Sequence, residues 1–346
     1  MFTRFVQPSR GVTVMRVPDN PVVPVAPWTW RDRGTGTPCL VQIGNRVVIF
    51  CRGEFGSRDR IGWLAADAKS FEGDNFREMQ GNPMLDNGPA GDVDDLSVRY
   101  PSVVERAGVW YCFYEGRNER GESHICAALS RDGLRWTKYP RNPLFPGCEP
   151  AAMVTDNAFT VFHTRPDAGG HIFAACSPDG MSWTLETVPV FGPGAAGAWD
   201  GGSICSPRVH AEAGMFYLFY GARRDGPGPP ESIGLAVSDN LRQWRRWPHN
   251  PLAVRGVATD WDGGGIWPGA PARVGEILYI PYEGCGHNSP GAAPPQVGML
   301  ALRGDLPRLD QPGRIVCCIA QAKTIYSAMA ERTHASPPIT VRKGQR

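Results

Sequence analysis

An all-β fold made of repeated, four-stranded antiparallel sheets is what this 346-residue sequence predicts, and three observations predict it. A turn-and-tryptophan signature recurs at "SRDGLRWTKYPRNPLF", "SPDGMSWTLETVPVF" and "SDNLRQWRRWPHNPL". Short runs rich in β-branched and aromatic residues alternate with Gly, Pro, Asn and Asp, the pattern of strands bounded by turns. The prolines of the first strand of each repeat fall at 38, 101, 150, 207 and 271, a period of 49 to 64 residues. Five four-stranded units at that spacing predict a five-bladed β-propeller around a central funnel.

The elements follow in order. A loose first copy runs from "TPCLVQIGNRVVIFCRGEF" to "DRIGWLAADAKSF" and closes at "NPMLD". The second is the clearest, with strands at "SVRYPSVVER", "GVWYCFYEG", "SHICAALS" and "LRWTKYP". The third joins "EPAAMVTDNAFTVFHTR" to "HIFAACSPDGMSW", and the fourth joins "SPRVHAEAGMFYLFYGARR" to "SIGLAVSDNLRQW". The fifth joins "GAPARVGEILYIPYEGCG" to "QVGMLALRGDLPRL". In the signature turns Asp132 and Asp179 are placed to accept backbone N–H groups, while the following glycine supplies positive φ. Trp136, Trp183 and Trp244 are expected to pack between blades.

The N-terminal "RVPDNPVVPVAPWTWRD" parallels "RWPHNPLAVRGVATDWD", including an Asn-Pro pair at Asn20 and Asn250. Residues 1–30 are therefore expected to supply the outer strand of the last blade, whose own fourth strand near "PRLDQPGRIVCCIA" is weak. Closing the ring this way removes open strand edges. Residues 1–325 are expected to form one domain and 326–346 a tail.

Composition sets the bounds. A hydrophobic content of 42% supports a packed core, and 42 glycines and 33 prolines supply the turns that many short strands need. A formal charge of +2 without a basic stripe argues against nucleic acid as a partner. No apolar run is long enough to span a bilayer, so no membrane partner is expected. The opening "MFTRFVQPSRGVTVMRVP" has no apolar signal segment. Ten cysteines sit mostly inside apolar runs with no zinc-like spacing, which reads as buried free thiols in a reducing cytoplasm.

In a propeller, residues just before the first-strand prolines converge on the funnel. Those positions offer Asp32, Asp94 and Asp95, Glu149, Asp200 and Asp262. The ends of the second strands add Arg52, Glu115 with Arg117, His163 with Arg165, Tyr220 with Arg223, and Tyr282 with Glu283. An Asp in a Gly-rich loop commonly caps backbone amides, and the repeated "WDGG" at Asp200 and Asp262 fits that structural role. Glu149 touches its proline directly, where a charged side chain has no local capping task. Carboxylates beside Trp28, Trp30, Trp199, Trp261 and Trp267 suit a carbohydrate, whose rings stack on aromatics and whose hydroxyls bond carboxylates and arginines. Glycoside cleavage uses one protonated and one ionised carboxyl, and crowding of acids separates their proton affinities.

On "RYPSVVERAGVWYCFYEG", the "SxDGxxW…NPxF" signature and "SPRVHAEAGMFYLFYGARRDGPGPPESIGLAVSDNLRQW", the chain resembles the five-bladed propeller glycosidases across residues 20 to 310. That group includes arabinanases, β-xylosidases, invertases and β-mannoside phosphorylases. The resemblance implies a glycosidase-like enzyme with Glu149 as general acid, Asp32 as base or nucleophile, and Asp94 or Asp95 adjusting proton affinity. Arg52, Arg99, Glu115, His163, Asp200, Arg208, Asp262, Trp199, Trp267, Tyr282 and Glu283 would then bind substrate. Where arabinanase-like members carry Asp-Pro, this chain has Thr37-Pro38 and Tyr100-Pro101. Two alternatives stand beside hydrolysis: a phosphorylase, with Arg99, Arg117, Arg208 and Arg223 as a phosphate subsite, and a silent propeller that binds a sugar or small biosynthetic intermediate. No cofactor is assigned; an axial calcium-like ion is compatible with oxygen-rich surroundings, though no ligand spacing demonstrates one.

Overall fold

The computed structural model describes residues 5–6, 11–155, 158–287 and 292–310. Among them the fold is all-β, the one helical element being the short 3-10 turn Pro166–Ala168. No helix of the described residues is long and apolar enough to cross a membrane.

Strands pair within successive antiparallel units. First strands are Gly34–Ile43, Ser97–Arg106, Cys148–Thr155, Ser203–Glu212, and Gly265–Pro268 continued by Ala272–Val274. Each pairs with a second strand: Arg46–Phe55, Val109–Arg117, Ala158–Thr164, Met215–Arg223 and Ile277–Cys285. Third strands follow at Arg58–Asp67, Ser123–Ser130, Ile172–Ser177, Ser232–Ser238 and Gln296–Arg303. We number the units one to five. Each first strand lies against the next, and the fifth unit returns to the first, so the series closes on itself.

Outer strands are short, and side chains complete them. Arg77–Glu78, Thr137–Lys138, Thr184–Leu185 and Arg245–Arg246 each pair with the third strand of their unit. Beyond them, in every unit but the third, an Asn-Pro asparagine takes over the ladder. Asn82 accepts from Trp63 N and donates to Trp63 O, both at 2.9 Å. Asn142 does the same at Ala127, Asn250 at Leu235, and Asn20 at Met299. An amide can make this double bond because it carries a donor and an acceptor side by side.

Asn20 and Met299 are 279 residues apart, so the N-terminal segment belongs to unit five. There Thr13–Arg16 pairs antiparallel with Gln296–Arg303, and Phe5–Val6 pairs with Arg308–Leu309. Residues 311–320 of the weak fourth strand expected from sequence, and the tail 326–346, lie outside the described residues.

The signature turns are built as their chemistry requires. Asp132 Oδ1 accepts from Leu134 N and Arg135 N, and Gly133 takes φ 74°. Asp179 and Gly180 repeat this arrangement. Each turn's tryptophan meets a fully buried phenylalanine of the unit before: Phe50 with Trp136, Phe113 with Trp183, and Phe162 with Trp244, at 5.9, 5.5 and 5.7 Å. Apolar burial across these seams holds the units together, since removing such rings from water is the main favourable term in folding.

Candidate functional site

Four first strands break register at the residue before their proline: Thr37, Tyr100, Glu149 and Ser206. All four have positive φ, between 45° and 56°, a region side-chain-bearing residues rarely adopt. Such strain persists only where surroundings over-determine it. Here each rotated peptide N–H finds a side-chain acceptor on the preceding unit. Thr37 N donates to Glu283 Oε2 at 2.8 Å and Tyr100 N to Thr37 Oγ1 at 3.1 Å. Glu149 N donates to Glu115 Oε2 at 3.1 Å and Ser206 N to Glu149 Oε2 at 2.9 Å. The bulges thus stitch neighbouring units together and turn Tyr100 and Glu149 toward one cavity.

That cavity, about 400 Å3, is bounded by Arg99, Tyr100, Arg117, Glu149, Thr164 and Arg165, with Glu115 beneath. Glu149 is half-buried. Its Oε2 accepts from Thr164 Oγ1 at 2.8 Å and its Oε1 from Ser206 Oγ at 3.0 Å. Glu115 is fully buried and accepts from Arg99 Nη2 at 2.8 Å and Ser123 Oγ at 2.9 Å. Burial works against the Arg99 charge, but Glu115, Tyr100 and Asp59 together outweigh it and leave Arg99 more firmly protonated than usual. Arg165 pairs with Asp167 at 2.7 Å, whereas Arg117 has no ion pair among the described residues and its Nε is buried without a partner. Burial and then Glu149 push the Tyr100 phenol well up, so Tyr100 is a neutral donor. Arg99 is paired with Glu115 and Arg165 with Asp167, so Arg117 is the cavity's arginine without an ion pair among the described residues.

The other residues expected from sequence fall into separate places. Asp94, Asp200 and Asp262 are almost fully buried and repeat one arrangement in units two, four and five. Each accepts from a second-strand phenol, Tyr114, Tyr220 or Tyr282, at 2.9 to 3.1 Å. Each also meets a cation of the outer strand: Lys138 at 2.7 Å, Arg246 at 2.6 Å and Arg16 at 3.0 Å. Unit one reverses the charges, with Arg31 in the loop and Glu78 on the outer strand at 3.0 Å. Asp95 accepts from Gly91 N and Glu119 N, and the Gly91 bond in particular holds its carboxyl below the usual range. The half-buried Asp32 has one oxygen, Oδ1, buried without a hydrogen-bond partner. None of Asp32, Asp94 and Asp95 lines the Glu149 cavity.

Arg52 and Glu283 pair at 3.1 Å, with Asp59 and Glu54 on the same guanidinium. Arg208 is fully buried; its Nη1 donates to Pro150 O and Pro207 O while the Tyr100 ring lies 5.4 Å from its Cζ. Burial lowers its proton affinity. His163 is buried too, and burial brings its pKa down to about 4, so it is neutral near pH 7. Trp30 is buried, Trp199 and Trp261 lean on Tyr220 and Tyr282, and Trp267 faces Glu283 across a strand pair. Trp28 alone of these tryptophans is open to solvent, at 94%. No set of three or more His, Cys, Asp or Glu side chains is arranged to hold a metal among the described residues.

Thr164, Ser206, Ser123 and Cys148 belong to the cavity or its supports without having been singled out from sequence. A signal existed for Ser206, which precedes Pro207 as Glu149 precedes Pro150. Thr164 follows His163 as Glu115 follows Tyr114, which places it at the same strand end.

No family model matches the chain. An uncharacterized protein of Mycobacterium tuberculosis, in each of two strains, is 24% identical over 250 residues, covering 66% of this chain and 80% of the relative. Among solved structures, a putative glycoside hydrolase from Bacteroides ovatus superposes with TM-score 0.66 at 17% identity, over 85% of this chain and 96% of that one. The β-1,2-mannobiose phosphorylase from Listeria innocua, in complex with β-1,2-mannobiose, gives 0.65 at 12% identity, over 83% and 96%. A thermostable family-43 glycoside hydrolase gives 0.60 at 18%, over 85% and 96%. With its repeated antiparallel units closing on themselves, the chain has the fold of the propeller glycosidase superfamily.

Proposed function

We propose that the protein is a glycoside phosphorylase whose five units form five blades, with the reaction in the Glu149 cavity. The observation that carries the reading is the cavity's composition: one half-exposed carboxylate, Glu149, shares it with Arg99, Arg117 and Arg165, of which Arg117 has no ion pair among the described residues. Hydrolysis by a carboxylate pair needs a second acid across the scissile bond, within roughly 5 to 9.5 Å. The acids nominated for that post do not line the cavity, so hydrolysis has less support than phosphorolysis. An arginine fork, by contrast, matches phosphate oxygens and supplies charge-assisted bonds.

In this reading phosphate is held by Arg117, with Arg165, itself paired with Asp167, on the same wall and Arg99 braced behind by Glu115. A phosphate oxygen attacks the anomeric carbon as the bond from that carbon to the leaving oxygen breaks. The proton of hydrogen phosphate ends on the leaving oxygen, relayed by the Glu149 carboxyl. The products are a sugar 1-phosphate and the released alcohol, and no water is consumed.

A sugar-binding protein without catalysis is the second reading. It is favoured by the way Thr164 and Ser206 occupy both oxygens of Glu149, which is the setting of a fixed acceptor. Phosphorus NMR on a panel of manno-oligosaccharides, other pyranosides and furanosides separates the readings. Phosphorolysis predicts a new sugar 1-phosphate signal only when phosphate is present. Equal turnover in phosphate-free buffer would overturn it in favour of hydrolysis, and binding without turnover would favour the second reading.

A further inference from the structure

Among the four bulge residues before the first-strand prolines, one side chain is left over from the stitching between units. Thr37 Oγ1 accepts from Tyr100 N and Glu149 Oε2 from Ser206 N, each serving the unit that follows. Ser206 Oγ is spent on Glu149 Oε1. By its place in the series Tyr100 would serve Glu149 N, but Glu115 takes that amide instead, at 3.1 Å. The Tyr100 hydroxyl consequently makes no hydrogen bond among the described residues, although the residue lines the Glu149 cavity. Its ring is held without that bond. The guanidinium carbons of Arg99 and of the fully buried Arg208 lie 5.5 and 5.4 Å from the ring centroid. Glu149 also has capacity left: Oε2 accepts two hydrogen bonds and Oε1 one, so one of roughly four acceptor positions on the carboxylate is open.

We propose that Tyr100 and Glu149 together select an oxyanion that carries a proton, so that the cavity takes hydrogen phosphate or hydrogen arsenate and rejects sulfate. The inference rests on the phosphorylase reading and deepens it by naming the anions the site admits. The two side chains offer opposite halves of a hydrogen-bond pair. Burial and the Glu149 charge keep the Tyr100 phenol protonated, so with Arg117 it donates to the anion's bare oxygens. The open position on Glu149 accepts the proton of the anion's own hydroxyl. Sulfate has the same tetrahedral shape and, at pH 8, the same two charges, but it has no proton to give. One of its oxygens would face the carboxylate lone pair with no hydrogen between them, a pairing that costs affinity. Discrimination comes from hydrogen bonding, not from size or charge.

Calorimetric titration of the protein with phosphate, arsenate and sulfate at pH 8, alone and with the manno-oligosaccharide panel present, tests it. Phosphate and arsenate are expected to bind at least about 100-fold more tightly than sulfate, since a site built to bond a ligand hydroxyl rejects an analogue without one. Tyr100→Phe keeps the ring and its guanidinium contacts, so it should melt with the wild type and bind phosphate about tenfold more weakly. Glu149→Gln, whose amide supplies a donor, should admit sulfate to within about threefold of phosphate. Sulfate binding as tightly as phosphate in the wild type would overturn the inference and leave phosphorolysis standing. Unchanged phosphate affinity in Tyr100→Phe would overturn the part given to the phenol. Absence of phosphate binding under both conditions would overturn the phosphorylase reading itself, and the selectivity with it.

Discussion

The aspartates of units two, four and five and the glutamate of unit three answer one problem, a carboxylate taken out of water, in opposite ways. Asp94, Asp200 and Asp262 are almost fully buried, each closed off by a phenol and neutralised by a cation from the outer strand. Glu149 stays half-open to a cavity and is held by the hydroxyls and amide of Thr164 and Ser206, none of which cancels its charge. A cation partner consumes a carboxylate structurally. Neutral donors fix its position and leave its charge for a ligand. The difference separates loop architecture from a candidate reaction centre within one repeat.

Disabling the closed-off set should cost stability before it costs activity. Asp200→Asn leaves Arg246 without its partner, and the expected loss is about 2–3 kcal/mol, less than for a fully buried pair because Arg246 is a third exposed. Chemical denaturation reads it, and retained turnover at low temperature would sharpen the contrast. On the open side, Arg117→Ala should raise the KM for phosphate about 10- to 30-fold, the worth of one to two charge-assisted bonds, with little change in melting temperature. An unchanged KM would break the link between the unpaired arginine and the anion.

A carboxylate of the first kind also gives a pH reference. Glu212 is held by His210 and then Arg273 down to about 2. Because its folded value is depressed, its contribution is present above the unfolded value near 4.3 and is lost as pH falls toward 2. Glu212→Gln should therefore cost about 1–2 kcal/mol at pH 7, after discounting its partial exposure, and almost nothing at pH 2. The smallest effect tests the reversed pair of unit one. Arg31→Glu and Glu78→Arg should each destabilise, and together recover about 1 kcal/mol as a coupling in a double-mutant cycle.

Much of the architecture was legible because it is local chemistry. The Asp-Gly turns, the Asn-Pro asparagines and the parallel between residues 16–32 and 246–262 all name their own hydrogen bonds, and the N-terminal strand pairs where that parallel puts it. The propeller glycosidase fold was visible through the same repeats. What sequence could not give was the partner of each loop aspartate, since Tyr220 lies twenty residues from Asp200 and Arg246 forty-six. Nor does the Thr37-Pro38 or Tyr100-Pro101 dipeptide announce a positive-φ bulge, because proline ordinarily steers its predecessor to extended geometry. The charge exchange between Arg31 and Glu78 was equally silent, being defined only by comparison with the other units. Arg117 and Arg165 could be placed at strand ends, but their convergence with Glu149 depends on how two units meet.

The most direct test sets the two kinds of carboxylate side by side: kcat/KM and melting temperature of Glu149→Gln and Asp94→Asn, on whichever glycoside the wild type turns over. Glu149→Gln is expected to lose at least ~10³-fold in kcat/KM, about 4 kcal/mol of transition-state stabilisation, and to melt close to the wild type. Asp94→Asn is expected to melt earlier and keep kcat within about tenfold. Full activity in Glu149→Gln together with an inactive, fully stable Asp94→Asn would contradict the account and return the chemistry to the loop aspartates.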